Sequence, residues 1–535
     1  MDSATLRTSL RHLTGARAVR VAALLLLLAA LVKAAWVCDD AFITMRTVDN
    51  LLHGRGLTWN PGERVQVFTH PLWLGVLALV DLLSPDGYWT ALLSGLAVSA
   101  AMLALLLWAV PGRRSAIAAA GLALVLSRAQ VDFATSGLEN PLACLLVVLL
   151  LRRDLGGRAE DRTANTAGAA AARRRDAWVP PPGSDAARLL ELGLLSSLLA
   201  LTRLDLVLVP LPVLAARLLG GGWRHWRPLL LAAAPVVLWE IFAVVYFGFP
   251  LPNTAYAKLG TGISALDLMR RGTWYFAATL RRDPLTLAVI AAGLAWVFLR
   301  GDRARRLWAA GVLLYLAYIV RIGGDFMMGR FFVVPLVAVV LLAAPLLPAG
   351  RRGWLVPAAL ALGLLAPRNP ITCPVMPPFE YWFRGIADER GYYYEGTGLV
   401  PRLRPGFVEH EYIRIGREAH ALMQTRGQAF QAVECIGFFG YYAGPRLYVI
   451  DVMALSDPFL ARLPISKPKD QKSWRIGHFT RDLPPGYRET IGGGRNVIQD
   501  PKLAKLYDDL RLITAGPLWS ADRWRAIWRL NSGRG

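Results

Sequence analysis

Two adjacent acids, Asp39 and Asp40, stand where the first long apolar run of the chain ends. That run, 18–37, is long enough to cross a hydrocarbon core of ~30 Å at ~1.5 Å per residue, so both carboxylates emerge at the rim of a bilayer. A carboxylate can take a proton from an attacking hydroxyl, and one held at a membrane rim suits a substrate that is itself part lipid. Read as a helix, DDAFITMR puts Arg46 about two turns from Asp39 on the same face. A guanidinium there can bind phosphate oxygens bidentately. The structural alternative is an acid where a span meets water and an ordinary charge pair along a helix. It explains the acids but not the polar, aromatic and glycine-rich loop that follows, HGRGLTWNPGERVQVFTHPLW.

Composition sets the elements that must position these groups. Of 535 residues 55% are hydrophobic, above the ~45–50% usual in soluble domains, and the chain reads as a polytopic α-helical membrane protein. The net charge of +22 does not form a basic stripe interleaved with aromatics, which excludes a nucleic-acid partner. The basic residues gather instead at 113–114, 152–175, 224–227, 300–306 and 351–352, between apolar runs, the positive-inside pattern of cytoplasmic loops.

The apolar runs 18–37, 90–110, 115–126, 141–151, 187–202, 206–219, 229–247, 285–299, 307–320, 331–347 and 354–366 make about eleven crossings. The run 71–83 is short and closed by Asp81, Pro85 and Asp86, which favours a re-entrant or interfacial helix. Left out of the count, it puts every basic block on the side of the basic N-terminus and the acids on the other. Arg270, Arg271, Arg281 and Arg282 stand against this topology, because they fall outside. The first run exceeds a signal-peptide core and reads as an uncleaved anchor. The insert 154–185, rich in Ala, Arg and Gly, reads as a disordered cytoplasmic loop. Residues 1–366 then form a transmembrane domain and 367–535 an extracytoplasmic soluble α/β domain. Four cysteines exclude a disulfide scaffold; Cys373 and Cys435 are the two that can pair if the tail lies outside.

Further candidates lie on the same outer face. Lys258 and Arg330 are cations that either stabilise a departing lipid phosphate or snorkel to headgroups. His70 either reaches phosphate or is structural. Arg203 with Asp205 in TRLD, and Asp325 in GGDFMMGR, either line the cavity or pair with neighbouring charges. Two adjacent carboxylates can hold a divalent cation, although no third acid clusters with them. No zinc spacing, P-loop or dinucleotide fingerprint is present.

The acid pair at the outer end of the first span, followed by R-T-V-x-N-L-L-x-G-x-G-x-x-x-N-x-G-E-R-V, resembles the C-type membrane glycosyltransferase superfamily, in particular the polyprenyl-phosphate-dependent terminal arabinofuranosyltransferases. LPNTAYAK, with Asn253, Tyr256 and Lys258, is similar to the same proteins. So are GGDFMMGRFFVVP, with Asp325 and Arg330, and GFFGYYAGPRLYVIDVMALSDP in the tail; no match extends beyond Pro458. The resemblance implies an outward-facing acidic base, for which Asp39 and Asp40 are the candidates. Residue type and placement on the outer face make Arg46, His70, Lys258 and Arg330 the candidates for donor-phosphate binding, and Arg203, Asp205, Asn253, Tyr256 and Asp325 the candidates for the substrate cavity. The resemblance further implies an inverting transfer of a sugar, arabinofuranose being one candidate, from a polyprenyl-phosphate donor to an extracytoplasmic glycan or glycoprotein at a bacterial inner membrane, and some members use a divalent cation. The alternative is a transporter or flippase for a lipid-linked sugar. Such proteins tend to show two related halves, and no internal repeat is visible.

Overall fold

The computed structural model describes residues 3–164, 184–221, 225–366, 368–373, 382–427, 429–466 and 475–533. Of the insert 154–185 expected to be disordered, 154–164 is instead helical, continuing the helix Asn140–Ala164, and 165–183 lies outside the described residues. Leu-, Ala- and Val-rich segments with few internal glycines or prolines form long helices. Three are long and apolar enough to cross a membrane: Gly15–Ala34, Gly87–Ala109 and Trp226–Phe247. A fourth crossing arises if Ala265–Arg282 and Pro284–Arg300, bent by 110° at Asp283, count as one.

Other runs read as spans form shorter or more charged helices. The runs 115–126 and 206–219 appear as Arg114–Val125 and Leu211–Gly220, the latter after a 3-10 turn, Leu204–Leu208, that Pro210 separates from it. The run 187–202 lies in Asp185–Thr202, whose first turns carry Asp185, Arg188 and Glu191. The run 354–366 breaks into Arg351–Trp354, Leu355–Ala361 and Leu362–Leu365. Hydropathy measures apolarity, whereas prolines, glycines and charges decide where a helix stops. The short helix expected over 71–83 is Pro71–Asp81.

The arginines that stood against the topology sit on the amphipathic arm Ala265–Arg282. Arg270 and Arg271 lie over the Trp274 ring at 5.3 and 5.0 Å, and Arg271 donates to the Arg384 carbonyl at 2.7 Å. This helix is set at a steep angle to its apolar neighbour, so its cations are not those of a simple connecting loop.

The C-terminal part is α/β. Strands β1 (Trp382–Phe383) and β2 (Ile386–Ala387) form a small antiparallel pair. Strands β3 (Ala429–Val433) and β4 (Leu447–Asp451) pair in parallel, in register from Ala429 opposite Leu447 to Val433 opposite Asp451. This region is docked closely on the helical part. The Leu399 amide donates to the Ala35 carbonyl at 2.9 Å, Thr397 Oγ1 to Val37 O at 2.8 Å, and Arg523 Nη2 to Tyr246 O at 3.0 Å. One hydrophobic core runs through both. All four cysteines are free, so Cys373 and Cys435 are not bridged.

Candidate active site

The chain breaks helix at 35–38 and restarts it at Asp39, giving Asp39–Leu52. The break is pinned by the Cys38 amide on Ser136 O at 3.0 Å and by Trp36 Nε1 on Asp132 O at 2.6 Å. Both acids therefore occupy the first turn of the new helix, where its dipole favours negative charge.

The two acids have different jobs. Asp39 is 6% exposed, and both its oxygens are committed: Oδ2 accepts from the Gly437 amide at 3.1 Å and Oδ1 from the Phe438 amide at 2.7 Å. These amides open the helix Gly437–Ala443. Phe42 locks the same contact, with ring centroids 4.6 and 5.1 Å from Phe438 and Tyr441. Burial pushes the Asp39 carboxyl up to about 7, the Phe438 and Gly437 amides opposing and Asp40 adding to the rise. The contact needs glycine at 437, since a Cβ there would stand 1.8 Å from the Asp39 carbonyl oxygen and 2.7 Å from Oδ2. Gly437→Ala is expected to lower stability by about 1–3 kcal/mol, read as a drop in unfolding temperature of the detergent-solubilised protein; an unaltered melt would show that this joint is dispensable.

Asp40 is only partly buried and, among the described residues, its carboxyl has no hydrogen-bond or ion-pair partner. It faces a cavity of about 180 Å³, below the ~300–1,000 Å³ usual for drug-sized ligands and suited to one sugar ring. Burial raises its pKa, while Lys258 and Arg330 pull it back. The same cavity is lined by Glu389, Arg475, His478, Trp382 and Tyr392. Glu389 is 5% exposed and lies 3.6 Å from Arg475; burial first, against Arg475, pushes it up to about 8. Arg475 stacks over Trp382 at 4.3 Å, and Arg475 Nε and His478 Nδ1 have no hydrogen-bond partner.

Behind Asp40 stands a cluster centred on Glu139, which is 1% exposed. Arg330 Nη2 donates to its Oε1 at 2.9 Å, Arg203 Nε lies 3.8 Å from the same oxygen, and His70 Nδ1 lies 3.6 Å from Oε2. Burial raises the Glu139 pKa, but Arg330, His70 and Arg203 outweigh it and hold the carboxyl down at about 2. Asp325 lies 3.6 Å from Arg330, and Arg330 Nε has no acceptor. His70 Nε2 meets Thr44 Oγ1 at 2.9 Å, one turn beyond Asp40. Arg203 is held by Asp205 at 2.6 Å and by Tyr315 OH at 2.9 Å. Lys258 ends the helix Asn253–Lys258, exposed, beside Gly477.

The structure thus brings the charges of Lys258, Arg330 and Asp325 to bear on Asp40 and gathers His70, Arg203 and Arg330 on Glu139, with Asp205 on Arg203. Of the sequence candidates Asp39 and Asp40 alone line the cavity; three others are engaged elsewhere. Arg46, expected to bind phosphate, is 2% exposed. It donates to Trp59 O at 3.0 Å, to Leu447 O at 2.9 Å and to Gly440 O, with its guanidinium 4.4 Å from the Trp59 ring. It holds the loop after the acids to the tail, because a buried guanidinium needs acceptors for its protons and these carbonyls supply them. Asn253 is likewise a clamp, its Nδ2 donating to Ala454 and Leu455 carbonyls at 3.0 Å. Tyr256 packs on Arg462 at 4.5 Å. Glu139, Glu389, Arg475 and His478 were not singled out in the sequence. Glu139 closes SRAQVDFATSGLEN just before an apolar helix, a position that could have marked it; the other three carry no local signal.

Each Asp39 oxygen already accepts a backbone amide, and among the described residues no group of three His, Cys, Asp or Glu is placed to hold a metal ion.

No family model matches the chain. It is 30% identical over 355 residues to the terminal beta-(1→2)-arabinofuranosyltransferase of Corynebacterium glutamicum, covering 60% of this chain and 49% of that protein. The protein of the same name from Mycobacterium tuberculosis is 27% identical over 423 residues, 68% of this chain and 63% of its own length. The chain thus spans about half to three fifths of the curated relatives it matches. Among solved structures, ArnT from Cupriavidus metallidurans bound to undecaprenyl phosphate aligns over 84% of this chain and 76% of its own at 15% identity, with a TM-score of 0.44. The apo state gives 16% identity and a TM-score of 0.41 over the same shares. In sequence, then, the chain is similar over more than half its length to terminal arabinofuranosyltransferases, the resemblance that its own motifs carry.

Proposed function

We propose that the chain is a membrane glycosyltransferase that moves a sugar, by its relatives' name arabinofuranose, from a polyprenyl-phosphate donor to an extracytoplasmic glycan or glycoprotein. The observation that carries this reading is Asp40: an unpartnered carboxyl at the head of a helix, facing a cavity of one-ring size, with Lys258, Arg330 and Arg475 around it. In this mechanism the Asp40 carboxylate takes the proton of the acceptor hydroxyl. The freed oxygen bonds to the anomeric carbon opposite the phosphate, and the bond from that carbon to the phosphate oxygen breaks, its electron pair leaving with the lipid phosphate. One displacement inverts the anomeric centre. Arg330 and Lys258 meet the charge that builds on the leaving phosphate, and Glu139 and Asp325 keep Arg330 aimed there. The topology we favour has about eleven crossings and a re-entrant helix, with the basic loops inside a bacterial inner membrane and the acids and tail outside.

Purified protein given radiolabelled polyprenyl-phosphate sugars is expected to transfer from at least one of them; transfer from none would sink the reading. Arg330→Ala and Lys258→Ala should each weaken donor binding by about tenfold or more, the scale of a lost charge-assisted contact. Arg46→Ala should instead lower the unfolding temperature. Unchanged donor affinity in both cavity-cation variants would place the phosphate elsewhere.

A further inference from the structure

A second opening lies at the same end of the parallel pair as the cavity of Asp40. Strands β3 and β4 run in parallel, and the chain leaves their carboxyl ends as Glu434–Ile436 and Val452–Met453. Ligands of open α/β sheets bind outside the carboxyl ends of strands. Here that edge has two spaces. Glu434, Cys435, Ile436 and Met453 line the cavity of Asp40. Glu434 and Val452 also line an open groove of about 640 Å³, more than three times the cavity's volume. Glu434 is the wall they share, so the two spaces are direct neighbours.

The groove has a defined floor. The Arg481 amide donates to Val452 O at 2.8 Å, and the Ser466 amide to Thr480 O at 2.9 Å. Arg481 Nη2 reaches the Ala257 carbonyl at 2.6 Å, which ties the floor to the helix bearing Lys258. Its lining mixes both signs of charge with hydroxyls and the faces of Pro484 and Pro485. It has no broad apolar wall for a lipid tail and no one-signed field for a polyanion. Glu434, Arg488 and Glu489 are exposed and have no hydrogen-bond or ion-pair partner among the described residues. Such a surface offers donors and acceptors together, which suits a neutral chain of hydroxyls. The donor's lipid belongs to the membrane side, at Arg330, so what passes Glu434 is the rest of the acceptor.

Resting on the glycosyltransferase reading, we propose that this groove binds the body of the acceptor as an extended neutral oligosaccharide, its terminal ring entering the cavity of Asp40 and the preceding rings lying past Glu434 along Pro484–Glu489. The probes are arabinofuranosyl oligosaccharides of two and six rings. With wild-type protein the six-ring acceptor should show the lower KM. The double variant Arg488→Ala/Glu489→Ala, and separately Glu434→Trp, which narrows the passage, should raise KM for the six-ring acceptor about tenfold more than for the two-ring one, the scale of one or two lost hydrogen bonds. Equal KM for both acceptors in wild type, or equal shifts in the variants, would overturn the groove.

Calorimetric binding of the six-ring sugar to full-length Asp40→Asn protein separates the two readings, because it needs no turnover. Binding that the groove variants weaken supports the groove even if no lipid-linked donor is used. Absence of binding overturns the groove even where transfer to the short acceptor proceeds.

Discussion

Asp40→Asn is expected to cut transfer by about 10²–10⁴-fold, the usual worth of a positioned general base, while the protein melts as the wild type does. The substitution is nearly isosteric, and among the described residues Asp40 makes no hydrogen bond or ion pair that an amide would break. Asp39→Asn should behave differently. Its new amide group would point one N–H at a backbone N–H of Gly437 or Phe438, leaving buried donors facing each other. That costs about 1–3 kcal/mol, so the unfolding temperature falls and activity falls with it. The pH dependence has a definite sign. Burial raises the Asp40 pKa, so the base is protonated and idle at low pH, and transfer rises as pH climbs through that raised pKa. Asp40→Asn should flatten this limb. Near-normal turnover in Asp40→Asn would mean that another group takes the proton.

The second large effect is expected at Glu139. Its carboxylate is the shared counter-charge of Arg330 and Arg203 and faces His70. Removing one partner from a buried ionic group leaves the others uncompensated and costs about 3–5 kcal/mol. Glu139→Ala should therefore lower the unfolding temperature strongly, and donor binding should fall with it because Arg330 loses its anchor. Glu139→Gln keeps the volume and one acceptor and should recover part of the stability but not the affinity. A melt of Glu139→Ala within error of the wild type would show that the two arginines are neutralised by Asp205 and Asp325 alone.

Much of the site was legible in local sequence. The acids at the end of an apolar run, the helix through DDAFITMR and the cations of LPNTAYAK and GGDFMMGR all follow from hydropathy, spacing and residue type. The roles within the site were not. Arg46 has the right charge, face and distance from Asp39 for a phosphate, yet its protons go to carbonyls of Gly440 and Leu447. The tail read as a soluble domain of its own shares a hydrophobic core with the helical part, a contact between segments far apart in the chain. The runs read as spans overestimated helix length where the chain breaks, as over 354–366, which divides into Arg351–Trp354, Leu355–Ala361 and Leu362–Leu365.

By itself the sequence determined that the chain is helical and apolar with its basic residues in short blocks, and that two carboxylates close the first apolar run, because these properties depend on residues within a few turns of one another. Only the tertiary structure decided which carboxylate is free. Asp39 is tied off by amides 398 and 399 positions away, Asp40 lines a cavity with Glu389 and Arg475, and Glu139 unites arginines from two distant loops. Desolvation and hydrogen-bond commitment set what each group can do, and both are fixed by packing between segments that no local pattern connects.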